Sequence, residues 1–224
     1  MLGQIRLQWW RDALDEIAED RPRKHPVVLN LSEWVGKFPQ AIDIAKSMID
    51  AREADLEEQP FQTLDELVAY ADATSGNLLQ LGLLASGVRD QAAEQAARLT
   101  GRAYALAGII RAVPFLGAQG RVMLPAETLA RHGLKDARQS IGRDPAKLKA
   151  TLADVMDVAV QALADSRRQG RLPRAGRPVM LHRSLASLYL KRLRTAGLDL
   201  SDPRLDPGAA SRIARLYRAW FLGL

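Results

Sequence analysis

The sequence predicts an all-α protein, on three observations. Alanine and leucine are abundant, aromatic residues make up only 5% of the 224 residues, and strand-type runs of Val, Ile, Thr and Tyr are scarce; this composition favours helices. Apolar residues recur at helical spacing, as they do at the start of the chain in Leu2, Ile5, Trp9, Ala13 and Ile17. Residues that cap helices precede several of these periodic segments.

Five helices are predicted in the first half of the chain. Thr63 and Glu66 form a T-x-x-E capping box, in which each residue satisfies a backbone N–H of the first turn. Asp90 is a suitable N-cap for a later helix, which we expect Pro114 to end. The five predicted helices cover about residues 3–19, 27–36, 40–57, 63–85 and 91–113.

Four further helices are predicted in the second half. Asp144-Pro145 and Asp206-Pro207 each place an N-cap acid before a proline at the first helical position. Gly133 is placed to adopt a left-handed conformation at the end of a short helix. These helices cover about residues 125–133, 145–169, 178–196 and 207–222.

Length and apolar content predict one domain over residues 1–224, with two small domains as the alternative. A chain in which 47% of residues are apolar can bury a core of its own. The first helix is already under way by the third residue, without a cap, although its apolar face must pack on something. We therefore expect one or two N-terminal helices of the full protein to precede this sequence.

Composition excludes several kinds of site. The chain has no cysteine, so disulfides, thiolate zinc sites and a cysteine nucleophile are excluded. His25, His132 and His182 are widely spaced, and neither a histidine metal site nor a Ser-His-Asp triad is expected. No apolar run reaches the ~18–20 residues that span a bilayer, and the first residues do not resemble a signal peptide. We expect a protein that is soluble or at most peripheral to a membrane.

Charge is distributed unevenly along the chain. Residues 1–100 contain 10 Lys and Arg against 17 Asp and Glu, a net charge of −7, whereas residues 101–224 contain 22 against 9, a net charge of +13. The basic half could face anionic lipid or a phosphorylated substrate, or be ordinary solvated helix surface. A peripheral-membrane module at residues 167–194 is one such alternative. Aromatic residues do not alternate with the densest basic stretch, so we do not expect a nucleic-acid partner.

An acidic cluster lies on the first helix. Carboxylates three or four residues apart share a helix face and could hold Mg²⁺. The complementary face is apolar, which is typical of an ordinary amphipathic helix with its acids in water, and this is the favoured interpretation. The cluster comprises Asp12, Asp15, Glu16, Glu19 and Asp20.

Two helical segments are rich in small residues. YADATSGNL at residues 70–78 and GRAYALAGIIRAV at residues 101–113 both place glycine inside a predicted helix, where it costs about 1 kcal/mol relative to alanine. Small residues allow close approach to the backbone, either by a neighbouring helix or by the hydrocarbon tail of a ligand.

The second of these segments leads into IIRAVPFLGAQGRVMLP, residues 109–125, which contains no acid. Asp and Glu are absent from the whole interval between Glu94 and Glu127. In this order and spacing, LQWWRDALDEI, YADATSGNLL, GRAYALAGIIRAV and GRVMLP resemble the squalene/phytoene synthase family. The resemblance implies an all-α, terpenoid (isoprenoid) synthase-like helical bundle. In that family, two aspartate-rich motifs on facing helices bind Mg²⁺, which neutralises a prenyl diphosphate as it leaves.

The resemblance also implies that the metal site is degenerate here. Where the second family motif has its two aspartates, this chain has Ala112 and Leu116, and neither side chain can bind a hard cation. The first motif would lie upstream of Met1. Gly108 replaces the usual asparagine and Met123 the usual tyrosine. The positions that match are Arg111, Gly120, Arg121, Leu124 and Pro125, together with Tyr70 and Gly76.

One branch of the family is more similar still, namely the mitochondrial complex I assembly factors and their bacterial relatives. It shares the Arg-Ala-x-Pro-Phe form of the motif, the acidic segment MIDAREADLEE and the closing DLSDPRLDPG…LYRAW. The resemblance implies a non-catalytic factor that binds a prenyl or other lipid or a respiratory-complex subunit, without cofactor. The expected location is the cytoplasm, with contact to the inner membrane.

The alternative function is an active prenyltransferase that condenses prenyl diphosphates, with Mg²⁺ and with first-motif aspartates before Met1. For either function, the candidate diphosphate or pocket residues are Arg111, Arg121, Tyr70, Gly76 and Tyr104. The guanidinium groups of Arg111 and Arg121 could hold a phosphate bidentately or pair with structural groups.

Overall fold

A computed structural model describes residues 1–134, 144–170 and 172–222, and these ranges contain helices and loops but no strand. The all-α prediction is confirmed. The contacts of the chain fall into two compact units, Met1–Glu57 and Glu58–Leu224, each of which is described by itself.

The first unit consists of three α-helices and a 3₁₀ turn. Helix α1 contacts both α2 and α3, because its apolar face has to be covered. The core of this unit is small and is formed by Ala13, Leu14, Ile17, Val28, Val35 and Ala41. The elements are α1 (Leu2–Ala18), α2 (Pro26–Lys37), α3 (Ala41–Ala51) and the 3₁₀ turn Arg52–Leu56.

The second unit is built around one long helix. This helix, α6 (Gln91–Ala118), has 28 residues. It packs against α5 (Asn77–Ala85), α8 (Pro145–Arg168) and α10 (His182–Thr195) and against a π-helical segment (Asp72–Gly76). The elements are α4 (Leu64–Ala71), the π-helical segment (Asp72–Gly76), α5 (Asn77–Ala85), α6 (Gln91–Ala118), α7 (Ala126–Arg131), α8 (Pro145–Arg168), α9 (Arg177–Met180), α10 (His182–Thr195) and α11 (Gly208–Leu222), with 3₁₀ turns at Arg174–Gly176 and Pro203–Leu205.

The capping signals at Thr63, Asp90, Asp144 and Gly133 are confirmed. At Asp206-Pro207 the helix begins one residue later than predicted, at Gly208, so Pro207 is not its first residue. The Thr63 hydroxyl accepts a hydrogen bond from the Glu66 backbone N–H at 3.2 Å, and the Glu66 carboxylate accepts one from the Thr63 N–H at 3.3 Å. Asp90 caps α6 through the Ala93 N–H at 2.7 Å. Asp144 caps α8 in the same way, and Gly133 has the expected positive φ of 70°. These signals are local, so they could be identified without knowledge of the tertiary structure.

The prediction that Pro114 ends its helix is wrong. Helix α6 continues through Pro114 to Ala118. A proline inside a helix removes one N–H donor and crowds the carbonyl four residues earlier, but its fixed φ is itself helical. The true end is set by Gly120, whose φ is 74°, where the Arg121 N–H donates to the Leu116 carbonyl at 2.9 Å. This is the hydrogen bond of a Schellman motif.

The predicted helix at residues 63–85 is divided into three parts. Helices α4 and α5 are joined by one turn of π-helix, Asp72–Gly76, which inserts extra backbone into the turn. The backbone of Ser75 and Gly76 in this turn lies directly against Gly101 of α6. The π-helical turn therefore lies where two helices approach closely. Helical periodicity in the sequence cannot reveal such an approach.

Candidate functional site

Two of the predicted site residues, Tyr104 and Arg111, lie two turns apart on one face of α6 and share contacts on α10. The Arg111 guanidinium carbon is 4.1 Å from the centroid of the Tyr189 ring, within the range of a cation–π interaction. The Tyr104 ring lies 6.0 Å from the Tyr189 ring and 5.3 Å from His182, centroid to centroid. We call these four residues the Tyr104 cluster.

Burial is the largest influence on the pKa of Tyr104. It raises the pKa of the Tyr104 hydroxyl, as does the neighbouring Tyr189, whereas the positive charges of Arg111 and Arg212 act in the opposite direction. Burial raises the pKa because it disfavours the charged phenolate. In this structure Arg111 contacts the aromatic ring of Tyr189. An Mg²⁺-diphosphate site would require carboxylates to bind the metal ions on this face.

The residues at the degenerate motif do not fit Mg²⁺. Ala112 and Leu116 lie one turn apart on α6 and are half-buried, but Mg²⁺ requires oxygen ligands in octahedral geometry. In the part of the chain that the structure describes, no group of three His, Asp or Glu residues is arranged to hold a metal ion. Gly108, one turn before Ala112, faces open space, since a Cβ there would meet nothing within 4 Å.

The GRVMLP segment, residues 120–125, contains Arg121 and is largely buried. Val122, Met123 and Leu124 are at most 5% exposed. The Val122 N–H donates to the Glu58 carbonyl at 2.6 Å. An Arg121 guanidinium nitrogen lies 3.8 Å from the Met123 sulfur.

Residues 58–64 line the same segment, and Tyr70 packs beside them. The Ala126 N–H donates to the Phe61 carbonyl at 3.0 Å, and the Glu127 carboxylate accepts from the Leu64 N–H at 2.7 Å. The Tyr70 ring lies 5.2 Å from the Phe61 ring and is 9% exposed. Tyr70 is therefore a core residue of this region, a role that the sequence pattern did not distinguish from a ligand contact.

Gly76 lies at a helix crossing. A Cβ built on Gly76 would lie 3.3 Å from the Arg98 side chain, and one built on Gly101 would lie 2.5 Å from the backbone of Ser75 and Gly76. Of the two explanations for the small residues, close approach of a neighbouring helix therefore accounts for this pair.

An ion pair at this crossing was missed by sequence reasoning. The Arg102 guanidinium donates two hydrogen bonds to the Asp72 carboxylate, at 2.8 and 2.5 Å, and this contact raises the pKa of Arg102. Asp72 belongs to the π-helical segment and Arg102 to α6. Since thirty residues separate them, no local pattern could have identified the pair. Likewise His182 and Tyr189 of the Tyr104 cluster had no sequence signal beyond their residue type.

Two acids of α1, Asp15 and Glu16, form ion pairs within the first unit. Glu16 accepts two hydrogen bonds from Arg23 at 2.7 and 2.8 Å, and this contact lowers the pKa of Glu16. Asp15 pairs with Lys46 at 2.5 Å. This arrangement agrees with the amphipathic-helix interpretation.

Two surface cavities lie away from the Tyr104 cluster. One, of about 530 Å³, is lined mainly by polar residues, namely Gln80, Gln91, Glu94, Gln95, Arg98 and Gln169. The other, of about 280 Å³, is lined mainly by Pro114, Pro145, Leu148, Leu198 and Leu200. Within the described ranges, no helix combines the length and the apolar character needed to cross a membrane.

Comparison with known proteins gives a consistent set of relatives. The chain is 31% identical over 212 residues to "NADH dehydrogenase (ubiquinone) complex I, assembly factor 6" of Bos taurus, and 30% identical over 207 residues to the homologue of Drosophila melanogaster. These alignments cover 92% and 89% of this chain but only 62% of each relative, so the chain spans less than two thirds of their length. Phytoene synthase 3 of Zea mays is 28% identical over 148 residues, which are 63% of this chain and 34% of that protein.

Solved structures show the same fold. A dehydrosqualene synthase in complex with a ligand matches 97% of this chain and 78% of its own with a TM-score of 0.78, at 19% identity. The squalene synthase of Alicyclobacillus acidocaldarius matches 85% of this chain and 73% of its own with a TM-score of 0.75, also at 19% identity. The fold is thus that of the isoprenoid synthases. The squalene/phytoene synthase family model matches residues 1–210, and this chain belongs to that family.

Proposed function

We propose that this protein is a non-catalytic member of its family that acts as a respiratory complex I assembly factor. In this role it binds a respiratory-complex subunit or a prenyl-type lipid and makes peripheral contact with the inner membrane. The observation that carries the proposal is the face of α6, where apolar Ala112 and Leu116 follow an Arg111 that stacks on Tyr189.

The chemistry of diphosphate release supports this proposal. When bound, Mg²⁺ neutralises the leaving diphosphate in prenyl transfer, and it has to be held by oxygen ligands. Ala112 and Leu116 supply no oxygen. Arg111 could still hold a phosphate group through its N–H donors, which would serve lipid binding without ionising a substrate.

The relatives support the same choice. The assembly-factor relatives align over about nine tenths of this chain, whereas the phytoene synthase aligns over 63% of it. Complex I assembly is stated in the names of those relatives and is transferred to this chain as part of the proposal.

The absence of synthase activity is tested with purified protein. Incubation with farnesyl or geranylgeranyl diphosphate and Mg²⁺ should give neither released diphosphate nor a condensed product. Multiple turnovers in this assay would show that the protein is a prenyltransferase, and the proposal would then be wrong.

The assembly role is tested in cells. Deletion of the gene should reduce the amount of assembled complex I, measured on native gels. Complementation with the wild type and with Arg111→Ala should restore it equally if the protein acts as a scaffold. Restoration by the wild type alone would assign Arg111 to an essential ligand site, and an unchanged amount of complex I after deletion would contradict the assembly role.

An active prenyltransferase is the second candidate, because Arg111, Gly120, Arg121, Leu124 and Pro125 all match the family motif.

Replacing Ala112 and Leu116 together by Asp places two carboxylates one helical turn apart. If the frame of the metal site has survived, the double variant should bind Mg²⁺ in titration calorimetry, whereas the wild type and the single variant Ala112→Asp should give no binding heat. No binding by the double variant would show that this face has lost the geometry of a metal site.

A further inference from the structure

The last described helix, α11, presents an apolar face to solvent. Ile213, Tyr217, Trp220 and Phe221 are 56%, 64%, 47% and 72% exposed. They follow one another at intervals of four, three and one residues, so they lie on a single face of the helix. The rings of Tyr217 and Phe221 stack with their centroids 5.9 Å apart. Four large side chains thus form one exposed surface, which we call the α11 face.

The opposite side of α11 holds the helix in place. Ala219 is 4% exposed, and Arg212, Arg215 and Leu216 are half-buried. Within the described residues, α11 packs mainly on α10. A surface helix normally buries its apolar stripe and exposes its charges, whereas α11 buries part of two arginines and leaves the aromatic residues outside. Packing on α10 therefore fixes the outward direction of the α11 face.

The two helices α10 and α11 are both basic, and the loop that joins them carries Asp199, Asp202 and Asp206. Neither α10 nor α11 contains an acid, while together they contain Arg183, Lys191, Arg192, Arg194, Arg212, Arg215 and Arg218. Lys191, Arg194 and Arg218 are exposed. Arg212 has an acidic neighbour, Asp206, at 3.6 Å in the preceding loop. The pair of helices therefore combines an exposed aromatic surface with positive charge.

From these observations we infer that α11 binds the surface of a membrane with anionic headgroups. Tyr and Trp favour the boundary between headgroups and acyl chains because their rings are apolar and their N–H or O–H groups are polar. Amphipathic helices with aromatic and basic residues lie in this boundary without crossing the bilayer. An anionic lipid surface offers both an apolar layer for the α11 face and negative charge for Arg194 and Arg218.

This inference rests on the membrane contact in the proposed function and assigns that contact to one element. The basic residues 167–194 were the candidate for this contact on sequence alone. The structure favours the α11 face, because the large exposed apolar residues of the α10–α11 pair lie on α11. Helix α10, on which α11 packs, carries the exposed Lys191 and Arg194.

The test is sedimentation of the purified 224-residue chain with lipid vesicles. The protein should bind vesicles of phosphatidylcholine mixed with phosphatidylglycerol, bind weakly to phosphatidylcholine alone, and dissociate as salt is added, because salt screens the attraction. Equal binding to both kinds of vesicle, or binding to neither, would overturn the inference.

Variants locate the contact. Trp220→Ala combined with Phe221→Ala should lower the partition coefficient at least about tenfold, because two large apolar side chains no longer enter the lipid. Arg218→Gln should lower it about fivefold on the anionic vesicles only. Leu29→Ala is the control, since it removes an apolar side chain that is 44% exposed on α2; its binding should equal that of the wild type. Unchanged circular dichroism confirms that each variant folds.

Two further outcomes would contradict the inference. Undiminished vesicle binding by the double variant would place the contact elsewhere on the protein. If the wild type does not bind vesicles and is a dimer that Trp220→Ala with Phe221→Ala dissociates in analytical ultracentrifugation, a second copy covers the α11 face. The vesicle assay uses purified protein and does not depend on the assembly role. If deletion of the gene leaves complex I assembly unchanged while the purified protein still binds vesicles, the assembly role is refuted and the lipid contact is not.

Discussion

Two glycines of α6 that look alike in the sequence have opposite environments in the structure. A Cβ on Gly101 would lie 2.5 Å from backbone atoms of Ser75 and Gly76, whereas a Cβ on Gly108 would meet nothing within 4 Å. Backbone atoms of a neighbouring segment cannot move aside as the end of a flexible side chain can. Gly101 is therefore required by packing, and Gly108 is not.

Alanine substitution should separate these two roles. We expect Gly101→Ala to lower the free energy of unfolding by about 3 kcal/mol, because the added methyl group forces the π-helical segment away from α6. Gly108→Ala is the matched control and should raise it by about 0.5–1 kcal/mol, because glycine in a helix interior costs conformational entropy. Urea unfolding followed by circular dichroism measures both. A stable Gly101→Ala variant would contradict the close crossing.

Tyr104 should make stability depend on pH in the alkaline range. Burial raises the pKa of its hydroxyl above the ordinary value of 10.0, so above that pH the unfolded chain releases a proton that the native protein retains. The contribution of Tyr104 to the free energy of unfolding is fully present below pH about 10. It decreases as pH rises from the pKa of the unfolded state to that of the folded state. In Tyr104→Phe this decrease should be smaller, as measured by urea unfolding at a series of pH values. Identical pH profiles for variant and wild type would exclude this role.

At the scale of elements, the ion pair between Asp72 and Arg102 joins the π-helical segment to α6. Both side chains are about one fifth exposed, and the pair is bidentate. Removing one partner leaves the other charge partly buried and unpaired, which is more costly than breaking a surface pair.

We expect Arg102→Gln to lower the free energy of unfolding by about 1–2 kcal/mol, a value reduced from that of a fully buried pair because solvent screens the charges. The control is Arg21→Gln, whose pair with Glu19 is mostly exposed and should contribute less than about 0.5 kcal/mol. A double-mutant cycle with Asp72→Asn should recover most of the effect as coupling between the two residues. Additive effects would show that they stabilise the fold independently.

At the scale of the whole molecule, the two units differ in the core that each possesses. The core of Met1–Glu57 consists of six residues, four of which are alanine or valine, whereas Glu58–Leu224 contains the long α6 and the helices packed around it. A segment of under sixty residues with so small a core is marginal by itself.

This difference predicts how fragments behave. Residues 58–224 produced alone should be helical and unfold cooperatively, whereas residues 1–57 alone should be largely unfolded. Circular dichroism and thermal unfolding of both fragments test this. Failure of the larger fragment to fold would favour the expectation of one inseparable domain over residues 1–224.

The sequence by itself determined the helical class, most helix starts and ends, and the family. The caps at Thr63, Asp90 and Gly133 were predictable because a cap involves residues within one turn. The family followed from motifs that are contiguous in the chain. The absence of carboxylates at Ala112 and Leu116 is equally a property of the sequence, and it limits the chemistry of that face without any coordinates.

Only the tertiary structure decided what each candidate side chain touches. It placed Arg111 on the Tyr189 ring and Gly76 at a helix crossing, because these contacts join residues far apart in the chain. It also placed Tyr70 beside Phe61, which lies outside the helix of Tyr70, so helical periodicity could not pair them. It also determined which side of α11 faces outward. Periodicity identifies an apolar stripe on a helix, but the packing of neighbouring helices decides whether that stripe is buried or exposed.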